Sequence, residues 1–197
     1  MKPEAARRAQ EAFEIEAREV LRAREAMDME AFGRAVDLLS LAPRIAASGC
    51  GHSGIACQHF AHLMCCIERP ARFISPAEAV HGASGYLQKG DVMLLVSRGG
   101  KTAELLPIAD ICRRKGAWVI AVTEALASPL AERADVVLPM QVDRETDRYN
   151  SQGTASFAAT NAIFDALQAA LIEETGYRNE QFALIHPGGA VGERLNR

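Results

Sequence analysis

Two short stretches of the 197-residue chain hold the residue types that bind anions when suitably folded. The first, Gly49-Cys50-Gly51-His52-Ser53-Gly54, follows the apolar run from Arg44; the second, Ser97-Arg98-Gly99-Gly100-Lys101-Thr102, follows Val92-Met93-Leu94-Leu95-Val96. Each reads as a buried strand, a glycine turn and the start of a helix, which aims free backbone N–H groups and the positive helix end at one point. Ser53, Ser97 and Thr102 add hydroxyls, while Gly51, Gly99 and Gly100 let the backbone approach a ligand closely. Either loop alone is more simply read as helix capping. Two such loops from adjacent strands point instead to one small phosphorylated ligand at the tips of a parallel sheet.

Two nucleotide readings are weaker. The G-x-G-x-x-G dinucleotide fingerprint wants an acidic residue at the tip of the next strand, where this chain has Ser75-Pro76 and places Glu78 further on. Gly100-Lys101-Thr102 resembles the end of a triphosphate loop, but Leu95 stands where that loop needs its first glycine. A compact phosphate monoester fits better. His59, His62 and Cys66 share one helical face and are metal-ligand types. That helix is expected to pack against the sheet, so neither a metal nor a cofactor is expected. Arg98 and Arg148 are either available to an anionic substrate or simply solvated.

The elements that must position these residues follow from periodicity. Strands are predicted at Arg44 to Ala47, Arg72 to Ser75, Val92 to Val96, Trp118 to Thr123 and Val136 to Leu138, alternating with helices at about Ser53 to Glu68, Ala77 to Tyr86, Thr102 to Lys115 and Pro129 to Arg133. That alternation predicts an α/β fold with a doubly wound parallel sheet. Two helices lead into it: Pro3 to Met27, with Phe13, Ala17, Val20 and Leu21 as its apolar stripe, and a second capped by Asp28 and running to about Leu41. They cover either a sheet face or a second copy of the chain. A long helix from Gly153 to Glu174 follows the last strand, and His186-Pro187-Gly188-Gly189 forms a loop between two short helices in the tail. The expected division is residues 1–42 as leading helices and 43–197 as one domain.

With 49% hydrophobic and 24% charged residues, the chain can bury a full core as a single domain. A net charge of −3 without a basic block gives no reason to expect nucleic acid as a partner, and no turn followed by a basic recognition helix is present. No apolar run is expected to cross a membrane, and residues 1–8 lack a secretory pattern. Five cysteines without a C-x-x-C pair fit buried thiols rather than a disulfide framework. A cytoplasmic protein is expected.

Together, Gly49-x-Gly51-x-Ser53-Gly54, Ser97-x-Gly99-Gly100-x-Thr102-x-Glu104, Ala134-Asp135-Val136, Thr154-Ala155-Ser156 and Phe182-Ala183-Leu184-Ile185-His186-Pro187-Gly188-Gly189-Ala190-Val191-Gly192 resemble the sugar isomerase (SIS) domain of the arabinose-5-phosphate isomerases. The resemblance covers nearly all of the chain after the leading helices. It implies a three-layer α/β/α sandwich around a five-stranded parallel sheet, a phosphorylated sugar as substrate, and a homodimer or homotetramer with active sites shared between subunits. Many members append a pair of CBS domains, which are not expected here.

By the same resemblance the chemistry is aldose–ketose isomerisation through an enediol, with Glu145 as the catalytic glutamate and His186 as a second proton-transfer group. His81 matches a site-lining histidine. The plainer readings are a solvated loop carboxylate for Glu145, flanked by Asp143, Arg144 and Asp147, and packing roles for His186 and His81. The chain departs from the family pattern at His52, where the isomerases usually carry Lys, at Lys101, where they carry Glu, and at Gly99, which replaces a serine. Lys101 is then a candidate anion ligand and His52 a candidate proton carrier. The competing expectation is a sugar-phosphate-binding or regulatory module that does not catalyse.

Overall fold

The computed structural model describes residues 1–196. Its five strands are β1 (Ile45–Gly49), β2 (Ala71–Phe73), β3 (Val92–Val96), β4 (Trp118–Thr123) and β5 (Val136–Pro139). They form one sheet in the order β2-β1-β3-β4-β5, every pair parallel. Every residue of β1 and β3 is buried, as a parallel sheet covered on both faces requires.

Helices α1 (Pro3–Glu25), α2 (Met29–Leu41), α3 (His52–Cys66) and α6 (Ala155–Thr175) make one outer layer; α4 (Pro76–Val80) and α5 (Leu106–Lys115) make the other. The three-layer expectation holds. Alternate strand residues feed two cores: Ile45, Ala47, Leu94 and Val96 meet Phe60 and Phe164, while Ala46, Met93 and Leu95 meet Leu105, Ile108 and Cys112. The chain leaves β1 toward β2 on one side and continues from β3 to β4 and β5 on the other. The order in which strands are added therefore reverses between β1 and β3, and both glycine loops flank the crevice that such a reversal opens.

Several boundaries differ from the periodicity reading. β1 runs on to Gly49, and β2 ends at Phe73. The helix expected from Thr102 begins only at Leu106, because Pro107 has no N–H to give to the Ala103 carbonyl; residues 102–105 close a turn instead, with Leu105 N–H on Thr102 O at 3.0 Å. The helix expected over Ala77 to Tyr86 breaks at Gly82, φ +113°, into α4 and a 3-10 turn at Ala83–Tyr86. Pro129 to Arg133 gives only the 3-10 turn Ala131–Arg133. Asp28 caps α2 as expected, accepting from the N–H groups of Glu30 and Ala31 at 2.9 and 3.2 Å.

α1 buries a different stripe from the one its apolar residues mark. Ile15, Glu19 and Ala23 face inward at four-residue spacing, while Phe13 is 78% and Leu21 54% exposed. The buried carboxylate decides the rotation: Glu19 Oε2 accepts the N–H of Asp143 at 2.8 Å across the layer. α6, at 21 residues, is long and apolar enough to span a bilayer by length and composition, contrary to the expectation that no run is. Its apolar sides lie instead against α1, α2 and α3, with Phe164, Leu167 and Leu171 fully buried. The tail helices α7 (Asn179–Ile185) and α8 (Gly189–Leu195) follow the left-handed cap at Gly176.

The junction of β1 with α3 is too tight for a Cβ on either side. A Cβ on Gly54 would lie 2.6 Å from the Gly49 carbonyl oxygen, and one on Gly49 would lie 2.8 Å from the Ser53 carbonyl carbon. Gly54→Ala must push α3 off the strand tip and is expected to cost about 2 kcal/mol of stability, seen as a lower urea midpoint with an unchanged m-value.

Candidate functional site

Gly51 holds φ +56° and turns the chain into α3, where its carbonyl takes the N–H groups of Gly54 and Ile55. The N–H groups of His52 and Ser53 precede the first intrahelical bond and so have no partner within the helix. Beside this turn lies a cleft of about 400 Å³ whose walls include Gly49, Cys50, Gly54, Ser75 and Glu104. It is large enough for a sugar phosphate.

The second loop is pinned from several sides. Ser97 is buried, and its Oγ stands 2.8 Å from Thr102 Oγ1, so one hydroxyl pair closes the loop at its base. Gly100 has φ +61°, and a Cβ there would meet Ser128 Oγ at 1.9 Å. Its carbonyl accepts the Leu130 N–H at 3.1 Å. Lys101 is exposed at the loop's crest and enters no ion pair among the described residues.

Glu145 is 2% exposed, not the solvated carboxylate its flanking charges imply. Oε2 accepts the Thr154 N–H at 2.8 Å, the Thr154 hydroxyl at 3.2 Å and the Ser156 N–H at 3.1 Å, so the side chain caps the N-terminus of α6. Oε1 meets Arg98 Nη1 at 2.6 Å. Burial pushes the Glu145 carboxyl up, but the donors of Ser156 and Thr154 and the Arg98 charge outweigh it and hold the group below the usual glutamate value. The loop that presents it folds around its own side chains: Asp147 accepts three backbone N–H groups, and Asn150, at φ +56°, accepts the Glu145 N–H at 2.6 Å.

His52 sits exposed at the first position of α3, edge-on to Phe157 with 6.1 Å between centroids and close to Gly153. It shares a pocket of about 20 Å³ with Ser53, Arg98 and Ser156. The structure thus gathers Gly51, His52, Ser53, Ser97, Gly99, Gly100, Lys101, Thr102 and Glu145 at one edge of the sheet. His81 is exposed at the end of α4 and does not line the cleft. His186 is not brought to Glu145 within the chain. α6 carries the backbone about 31 Å away from Glu145, and the tail docks at the far end of α3, with Tyr177 Oη donating to Cys66 O at 2.9 Å and Gln181 to Glu68 at 2.7 Å. His59 and His62 face outward rather than onto the sheet; His59 Nδ1 lies 2.9 Å from Asn161 Oδ1.

The ion pairs of Arg98 and the buried role of Glu19 escaped sequence reasoning. Arg98 is part-exposed but held on three sides: Nε donates to Glu124 at 2.7 Å, Nη1 to Glu145, and Nη2 to the Val142 carbonyl at 3.1 Å. No spacing rule links residues 98 and 145. Glu19 left a faint signal, an acid four residues from both Ile15 and Ala23 on one helical line.

The family model for the SIS domain matches residues 38–172. The chain belongs to the SIS domain family. Among curated relatives, the SIS chain is 39% identical over 158 residues to the arabinose 5-phosphate isomerase KdsD of Pseudomonas aeruginosa, covering 80% of this chain and 48% of that protein. It is 37% identical over 148 residues to the arabinose 5-phosphate isomerase KpsF of Escherichia coli, covering 75% and 47%. The chain spans about half the length of these curated relatives. An Escherichia coli CFT073 protein solved in complex with A5P superposes with a TM-score of 0.88 at 26% identity, over 95% of this chain and 100% of that one. A Listeria monocytogenes structure gives 0.92 at 39% identity, over 95% and 100%.

In this SIS domain the depressed Glu145 carboxyl links folding to pH. Its folded value lies below the unfolded one of about 4.3, so its contribution is present above that value and is lost as pH falls through the folded one. Glu145→Gln is expected to destabilise the protein at pH 7 by about 2 kcal/mol, the loss of charged hydrogen bonds. Urea titrations of both proteins should show that difference shrinking below about pH 4.

Proposed function

We propose that the chain is a phosphosugar aldose–ketose isomerase of the arabinose-5-phosphate type, acting through an enediol. The observation that carries this reading is the position of Glu145: an ionised, buried carboxylate beside two anion-binding loops, in a chain 39% identical to a curated isomerase over most of its length.

The loops bearing Gly51, Ser53, Ser97, Gly99, Gly100 and Thr102 hold the phosphate, and Lys101 adds charge at its edge. Glu145 takes the C2 proton of the open-chain aldose. The C–H electrons form the C1–C2 double bond as O1 gains a proton, giving the enediol. Return of a proton to C1, with loss of the O2 hydroxyl proton, gives the ketose. His52 and His186 are the groups for transfer between the oxygens. Since one chain separates His186 from Glu145, His186 acts in a second copy's site, within a homodimer or homotetramer. The tail supports this: Leu184 is 78% exposed, Ile185 and Val191 are also exposed, and the buried Nδ1 of His186 has no partner. The exposed thiols Cys50 and Cys65 suit a reducing compartment, the cytoplasm.

A binding module is favoured by departures from the family pattern, the exposed His52 in place of the usual lysine and the exposed Lys101 in place of the usual glutamate. Proton NMR in deuterated water with arabinose 5-phosphate and other pentose and hexose phosphates separates the two. Loss of the C2 or C1 proton with one sugar is the expected result; ligand-induced stabilisation without exchange would make the chain a sensor. Glu145→Gln should abolish exchange while still binding ligand. Mixed assemblies of Glu145→Gln and His186→Ala subunits should regain activity that neither variant has alone, because one site in each pair recovers both residues.

A further inference from the structure

Glu145 offers its two oxygens unequally. Oε2 is filled by three donors at the start of α6, whereas Oε1 meets only the Arg98 guanidinium. Each carboxylate oxygen has two lone pairs; three donors already share those of Oε2, so Oε1, with one donor, is the atom with capacity left for a substrate proton. The guanidinium that aims it is itself held by Glu124 and by the Val142 carbonyl, on two further segments. The backbone of Arg98 is fixed too, its carbonyl accepting from Thr123 Oγ1 and from the Glu124 N–H, both at 3.0 Å. One side chain thus ties the serine loop to the tip of β4 and to the loop that carries Glu145.

We propose that Arg98 is a positioning residue for the reaction: it presents Glu145 Oε1 to the substrate and couples the anion-binding serine loop to that carboxylate. The inference rests on the isomerase reading for its kinetic consequence and on the ion-pair geometry for the rest. The planar fork is essential, since an ammonium cannot meet two carboxylates and a carbonyl in fixed directions. The other charged groups around Glu145 are few. Glu124 lies beyond Arg98, His52 stands at the start of α3, and Asp143, Arg144 and Asp147 share its own loop. Glu19 and Arg22 of α1 reach it only through Asp143. With Arg98 gone, the N-terminus of α6 is the main remaining support for the charge.

The test uses full-length Arg98→Gln and Arg98→Lys. Arg98→Gln is expected to lower kcat roughly a hundredfold with KM little changed, and to move the acid limb of the pH–rate profile upward. Arg98→Lys should return that limb toward its original place while kcat stays depressed, separating charge from geometry. Carbon-13 NMR titration of the Glu145 carboxyl in the same proteins reads the ion pair without any turnover, and its midpoint should rise in Arg98→Gln. If the wild type exchanges no sugar proton, the isomerase reading fails while that midpoint still reports on the pair. A rise in KM at constant kcat would make Arg98 a ligand for the substrate anion and overturn the proposal. An unmoved Glu145 midpoint would overturn it equally. So would a loss of kcat that parallels a loss of melting temperature with the acid limb in place.

Discussion

All five strands point the same way, and that single constraint places both glycine loops, Glu124 and Glu145. A parallel sheet delivers the carboxyl end of each strand to one edge, and the helix after each strand starts there with its donors unpaired. The glycine turn after β1, the serine loop after β3, Glu124 after β4 and Glu145 after β5 are four consequences of one polarity. Reversal of strand order between β1 and β3 then opens a crevice where the first two of these lie side by side.

Charge is arranged along the same edge so that the buried carboxylates Glu145 and Glu19 both have partners. Glu145 balances the start of α6 and the Arg98 guanidinium; Arg98 balances Glu145 and Glu124; Glu19 supports the backbone of Asp143, whose side chain meets Arg22. Removing one member of such a set strands another inside the protein, and the stranded group costs more than the lost contact. The loop carrying Glu145 has no regular secondary structure, so its shape depends on these side chains rather than on a ladder of backbone bonds.

How much of this could be seen in the sequence depended on the range of the interaction. Strand tips, glycine turns and the Asp28 cap are local, and their residue types announced them. Gly49 and Gly54 stand where strand and helix approach too closely for a Cβ, and Gly51 stands where the turn needs a φ of +56°, so both demands fall on glycine. The start of α5 was misread because helical periodicity through residues 102–105 outweighed one proline in the count, while the missing N–H outweighs periodicity in the molecule. Contacts across the fold left almost no trace. Arg98 and Glu145 are 47 residues apart, Glu19 and Asp143 124 apart, and neither pair belongs to a short motif. Phe13 and Leu21 misdirected the α1 stripe for a related reason: apolar spacing cannot reveal that a carboxylate is needed on the inward line.

The family match begins at residue 38, yet the folded object does not. Ile15, Ala23, Ala31 and Phe32 all belong to the core that α6 completes, and Glu19 takes a backbone N–H beside Glu145. A fragment cut at the family boundary would bare one side of α6 along its length and leave the Asp143 amide without its acceptor. The stretch recognised by sequence is therefore smaller than the packed unit, and the two leading helices share one core with the sheet they precede.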